Sequence, residues 1–276
     1  MSAFTGSRDG VILFMRPSWF LAFVLLAGCG SMFTAAQDML GHVDLQSPRM
    51  TKAELTRDEV AGILAAATPE RPADLSGKGL AGLDLSGLDF HGANLRLAIL
   101  NNAKLAGANL SHVVLDQAWL LKANLSGANL TDAHIFGAQM RGATGNGANM
   151  SGALIVADLT GASLEGVNFV NARLGPDMKN QSMGLMRAVM PSAKLDHANF
   201  SNADLSRVDL EFASLRAANL SNAELFGASL AGADLTGANV TGADFSDADL
   251  SSTKLLQLVG EPRNLDKARH LDRAVR

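Results

Sequence analysis

A five-residue period governs this chain from Leu75 to Leu255. It is plain in Ala93-Asn94-Leu95, Ala108-Asn109-Leu110, Ala123-Asn124-Leu125, Ala203-Asp204-Leu205 and Ala233-Asp234-Leu235, each with an alanine two residues ahead of a leucine. Central positions recur every fifth residue from Leu75 to Ile155, from Leu159 to Leu174 and from Met190 to Leu255, which makes 35 sites, and only Gly145 lacks an apolar side chain there. Two residues before the centre, 28 of the 35 are alanine; the exceptions are Lys78, Leu83, Leu88, Val113, Val167, Val208 and Thr253. A helix repeats every ~3.6 residues and a strand every two. Neither period sustains this pattern, so the chain must turn at short regular intervals and stack on itself.

In a narrow coil the central leucine points inward only beside a small inward neighbour, and alanine leaves that room at near-solid packing density. The other three positions face water and carry Asp, Asn, Ser, Thr and Gly, which suit tight corners. The chain has no tyrosine and two tryptophans, Trp19 and Trp119, so its core is one of small and medium aliphatic groups. No single coil buries its apolar side; stability comes from stacking, roughly as a sum of neighbour terms. The register drops by one residue between Ile155 and Leu159. It resumes across Gly175 to Arg187, a stretch with no repeat logic, read as a loop at 175–187 leaving the rod wall. Its methionines, Met178, Met183 and Met186, form either an adaptable contact surface or part of a tolerated insertion.

These units resemble the pentapeptide-repeat family, whose unit is alanine, aspartate or asparagine, leucine and two variable residues. The resemblance covers about two-thirds of the chain. It implies an all-β fold, a right-handed quadrilateral β-helix with four units per coil. That gives nearly nine coils over 73–255, a rod roughly 40 Å long at ~4.8 Å per coil.

Ahead of the rod, Met15-Arg16-Pro17-Ser18, the apolar run Trp19 to Leu26 and then Ala27-Gly28-Cys29 form a charged start, a short apolar core and a small-residue cut site. Leu26-Ala27-Gly28-Cys29 resembles a bacterial lipobox, which implies cleavage before Cys29 and acylation of that residue. Residues 1–28 are then a signal peptide, with Met15 as an alternative start, and 29–50 a lipid-anchored linker. The run is shorter than the roughly 20 residues of a spanning helix. Two acyl chains anchor lastingly where one does not. Gly30 and Ser31 lack an inner-membrane retention aspartate, which places the protein at the outer membrane, facing the periplasm. An ordinary secretion signal and a buried helix are the competing readings of the same run.

Thr56 and Glu59 have the spacing of a capping box ahead of Val60, Ile63 and Leu64, so a helix from about Arg57 to Ala67 is expected within an amino-terminal cap at 51–72. It covers the bare first coil. The tail at 256–276, with Leu265, Ala268 and Leu271, reads as a short helix capping the last coil.

Nothing here suggests an enzyme. The histidines are scattered, Cys29 is the only cysteine, and neither a metal-ligand spacing nor an activated nucleophile is present. No cofactor is expected. The net charge of -4 offers no basic footprint for direct nucleic-acid binding. A surface contact remains: Ile99 and Trp119 precede central residues 20 apart, with Leu97, Val114, Leu121 and Phe136 at nearby outward positions. Such a cluster suggests a docking patch for an unidentified protein partner or lipid. Two functions follow. One is a lipid-anchored envelope protein whose rod is an interaction or structural scaffold. The other, implied by the resemblance, is a cytosolic DNA mimic that inhibits or protects a topoisomerase such as gyrase. Such mimicry needs strong negative charge, whereas Ala73 to Leu174 carries 7 acids against 6 bases and Ala188 to Leu255 carries 9 against 4.

Overall fold

The computed structural model describes residues 43–176 and 186–276. The compact unit from Asp44 to Arg276 is a four-sided β-helix. Its walls are parallel ladders that advance by 20 residues per rung, such as Asp74–Asn94–Val114–His134 on the first side and Gly79–Ile99–Trp119–Gln139 on the second. The third side begins at Asp84–Lys104–Asn124 and the fourth at Asp89–Asn109–Asn129. Each rung follows one rule: Leu95 N–H donates to Val114 O at 2.8 Å, and Val114 N–H donates to Ala93 O at 3.0 Å.

The unit of five follows from what a corner requires. Between centres the chain closes a turn in which Ala93 N–H donates to Phe90 O at 2.9 Å. The third residue of that turn, Gly92, has φ +65°, as a type II turn demands. Two residues are spent on every corner, so each wall keeps only a rung or so of ladder. Central and alanine positions point inward together: Leu95, Leu125 and Ala123 are fully buried, and the core runs unbroken from Ala73 to Leu255. Val113, Val167, Val208 and Thr253 are buried in the alanine row too, the last by donating its hydroxyl to Leu230 O at 2.8 Å. At Gly145 a Cβ would stand 3.0 Å from Leu164 Cδ2, so a neighbour already fills the missing side chain's space. Phe169 and Phe200 stack with centroids 4.7 Å apart on successive coils of the fourth side.

The residue before the centre is Asn or Asp at 18 of the 35 sites, for a reason specific to this geometry. The ladder does not use the N–H of the residue after the centre, and the Asx side chain accepts it: Asp74 Oδ1 takes Ser76 N–H at 3.0 Å, and Asn129 Oδ1 takes Thr131 N–H at 3.2 Å. At four sites where another residue type precedes the centre, an acid or amide one coil below supplies the acceptor. Asn101 serves Leu121 N–H in this way, Asp116 serves Phe136, Asn146 serves Glu165 and Asp196 serves Arg216.

The register drop falls where the sequence places it. Strands β1 (His134–Gln139) and β2 (Leu154–Asp158) pair in parallel with a shift between Phe136 and Gln139, so one corner runs nearly straight and is a residue shorter above than below. At the other irregularity, Ala188 N–H donates to Leu174 O at 2.9 Å and closes the corner that the residue three after the centre closes elsewhere. Leu174 and Met190 therefore sit on adjacent sides, and the interval from Asp158 to Val189 widens to 31 residues. All the extra chain leaves from one corner. Met178 and Met183 lie outside the described residues, and Met186 is half-buried.

The ends depart from expectation. Helix α1 (Pro48–Thr51) is a single turn inside the stretch expected to be a linker, and its Met50 is buried. Helix α2 (Arg57–Ala65) carries the full capping box, Thr56 and Glu59 serving each other's backbone N–H, and is two residues shorter than expected. In the tail, the expected helix is replaced by further winding. Val259, Arg263, Arg269 and Val275 pair with the coil below, and only single 3-10 turns form, at Leu265–Lys267 and Leu271–Arg273. The last full coil presents unfilled ladder positions, and the chain fills them in place of a local helix.

Candidate functional site

The six residues singled out as an outward apolar cluster fall on two adjacent sides. Val114 and Phe136 stand on the first side, Ile99, Trp119 and Leu121 on the second, and Leu97 at the corner between them. Ile99 and Trp119 are adjacent rungs. Trp119, Leu121, Val114 and Phe136 are half-buried, and Leu97 is 48% exposed with φ +61°.

Ile99 is a correction. It is only 3% exposed, because the chain ahead of α2 lies over its side of the rod. Asn101 Nδ2, on the same side and coil, donates to Met50 O at 3.2 Å. One coil below, Glu54 N–H donates to Gly79 O at 2.7 Å, and Gly79 N–H donates to Glu54 Oε2 at 3.2 Å. A Cβ at Gly79 would meet Lys52 O at 3.2 Å and Glu54 Cγ at 3.0 Å, so the crossing chain leaves little room for a side chain there. Apolar residues at outward positions mark a contact, but part of that contact is intramolecular.

Sequence reasoning missed the exposed aromatic rings of Phe212 (66% exposed) and Phe226 (44%) on the later coils. Phe212 occupies a corner with φ +58°, and its ring lies over Gly232, where a Cβ would come within 2.6 Å of it. A bulky residue in this backbone region is uncommon and carries strain, and that was the signal available in the five-residue register.

The ionic groups are mostly architectural. Asp116 is buried between Arg96 and His134, 3.0 Å from each. Asp234 receives Lys254 at 3.2 Å and Arg216 at 3.4 Å. The Ser246 hydroxyl, foremost, and Asn264 pull the Asp244 carboxyl down to about 2. Burial opposes ionisation of Asp249, yet hydrogen bonds from Ser251 and His270 also bring it to about 2. Asp209 is shifted the other way, chiefly by burial and then by the neighbouring Glu211 carboxylate. Among the described residues, no three His, Cys, Asp or Glu side chains group as metal ligands would. No helix among them is long and apolar enough to cross a membrane. Cys29, Leu26, Ala27 and Gly28 lie outside the described residues.

The profile of pentapeptide repeats matches eight copies, spanning residues 79–175 in overlapping segments and then 185–222 and 223–256. A comparison with curated protein sequences returned no match. Among solved structures, one similar chain is HetL, a pentapeptide repeat protein involved in heterocyst differentiation regulation from the cyanobacterium Nostoc sp. It is 27% identical over 80% of this chain and 100% of its own, with a TM-score of 0.41. QnrB1, a plasmid-mediated fluoroquinolone resistance protein, is 17% identical over 68% of this chain and 90% of its own, with a TM-score of 0.45. Rfr23 from the cyanobacterium Cyanothece is 30% identical over 40% of this chain and 62% of its own, with a TM-score of 0.26.

Proposed function

The chain belongs to the pentapeptide-repeat family, and on that premise we propose that it is a non-enzymatic, lipid-anchored protein of the bacterial envelope whose rod is an interaction or structural scaffold. The observation that carries the scaffold reading is the use made of the side chains. Inward positions fill a continuous apolar core, and the Asx row is committed to turn hydrogen bonds. Little polar chemistry is left to converge on a substrate. The anchoring part rests on the Leu26-Ala27-Gly28-Cys29 sequence and on Cys29 being the only cysteine. Acyl chains on Cys29 would hold the rod at the outer membrane, on its periplasmic side, where its partner would be a protein. The near balance of acids and bases over Ala73 to Leu174 argues against a DNA mimic.

Expression with radiolabelled palmitate tests the anchor. Wild-type protein is expected to take up label and fractionate with membranes, and Cys29→Ala to do neither. Unlabelled, soluble wild-type protein would overturn the envelope reading and return the topoisomerase one.

A further inference from the structure

Outward positions on the second side of coils one to three are Gly79, Ala81, Ile99, Asn101, Trp119 and Leu121, a column apolar but for Asn101, where the corresponding positions of the other walls are mostly polar. The segment from Met50 to Glu54 crosses it. Glu54 stands at the first coil, hydrogen-bonded to Gly79, and Met50 at the second, hydrogen-bonded to Asn101. Traced backwards, the chain thus climbs the rod. One more step in that direction leads to Trp119 and Leu121, and Leu45 and Ser47 are half-buried on the way.

We propose that this column is a docking site for a short peptide turn with one apolar anchor, and that its resident occupant is the chain's own segment Asp44–Thr51, a displaceable strap. The hold at the second coil is one buried side chain, Met50 at 5% exposure, and one hydrogen bond from Asn101. Helix α1 has no side-chain cap, and Asp44, Gln46, Pro48 and Arg49 are exposed. The wall beneath is bonded to coils above and below through its ladder. A segment with so few buried contacts opens locally while the rod stays folded. Asn101 is the hinge of the exchange. Its Oδ1 is committed to Leu121 N–H at 3.0 Å, while its Nδ2 can pass from the Met50 carbonyl to that of an incoming peptide. The flexible Met50 side chain is an anchor that other apolar side chains can replace.

The test uses the full chain carrying Trp19→Phe, so that Trp119 is the only indole. Met50→Asp opens the strap, and a dye-labelled peptide with the sequence from Asp44 to Glu54 is titrated against both proteins by anisotropy. The open variant is expected to bind the peptide at least about tenfold more tightly than the parent, since a mostly occupied site taxes apparent affinity by its free fraction. Acrylamide quenching of Trp119 should rise in the variant and fall again as peptide binds. Adding Ile99→Asp should abolish the gain. Equal binding to parent and open variant, or none to either, overturns the proposal. So does collapse of the rod's thermal transition in both Met50→Asp and the milder Met50→Ser, since the strap would then be integral to the fold.

Discussion

At the amino-terminal end of the rod, a helix covers the first coil. Val60 of α2 is fully buried, and Leu55, Ile63 and Leu64 pack against the core beside Leu83 and Leu88. Those two larger side chains replace alanine only where no coil lies beneath. Arg57 pins the helix by donating to the carbonyls of Asp84 and Ser86, the latter at 2.9 Å. At the carboxy-terminal end the chain winds on instead, and Leu258, Leu265, Ala268, Leu271 and Ala274 are only partly buried. Val259 (56%) and Val275 (47%) stand exposed on the final rung. Arg263 and Arg269 turn their guanidiniums onto Gly242 O and Asp247 O, 2.8 and 2.9 Å away. One end satisfies its apolar rim with a matched helical stripe. The other thins the rim and crowds it with cations, a known way to discourage strand addition.

This contrast predicts a gradient of tolerance. The largest effect is expected for Leu125→Asp, at a fully buried site in the third coil. An unpaired buried carboxylate should outweigh the ~5–15 kcal/mol that holds a typical domain together, so the variant should not fold. Leu255→Asp, at 7% exposure in the last full coil, beneath the tail's partial winding, should keep a cooperative melt by circular dichroism and lose about 1–3 kcal/mol. Equal losses would break the picture of unequal ends.

At the cap itself, Val60→Ala should cost about 1–3 kcal/mol, and its exposed counterpart at the other end, Val275→Ala, less than about 0.5. Chemical denaturation compares the two directly. Thr56→Ala removes the capping box and should lose about 1 kcal/mol. Hydrogen exchange should then quicken in α2 and the first coil while the coils beyond Met190 stay protected, and uniform quickening would show that the cap is not a local element.

Acid should act with a different bias. Asp244 and Asp249 titrate near 2 in the folded rod, below their ordinary value of 3.8. Their contribution is whole above about pH 4 and is lost as the pH falls towards 2. Asp209 opposes this: its raised value means folding favours its protonated form, a contribution present below 3.8 and lost as the pH rises. Double replacement Asp244→Asn, Asp249→Asn should flatten the drop in urea midpoint between pH 5 and 2, and an unchanged drop would assign acid sensitivity elsewhere. The smallest effect is expected for Phe212→Asn. An exposed corner side chain should change stability by less than about 0.5 kcal/mol, and a larger loss would show that its ring contributes to the wall.

The central leucines and the alanine row were legible residue by residue, because every coil repeats the same local demand for one large and one small inward side chain. The capping box was legible for the same reason: it is settled within four residues. The tail was not. Leu265, Ala268 and Leu271 have helical spacing, but the unfilled ladder of the coil below is a stronger local partner than a helix of one turn. Nor was the burial of Ile99, whose outward position is plain in the register while the segment crossing its side of the rod, Met50 to Glu54, lies 45 to 49 residues earlier in the chain.

The sequence alone determined the coil: its period, its inward residues, its polar corners, and the places where the register breaks. Those are short-range requirements, met or failed within one unit and its copy 20 residues away. Which apolar outward positions are free, which corner the inserted chain leaves from and how the two ends are closed were set by long-range packing. Each of these depends on segments that meet across the rod, and a periodic pattern says which way a side chain points without saying what lies in front of it.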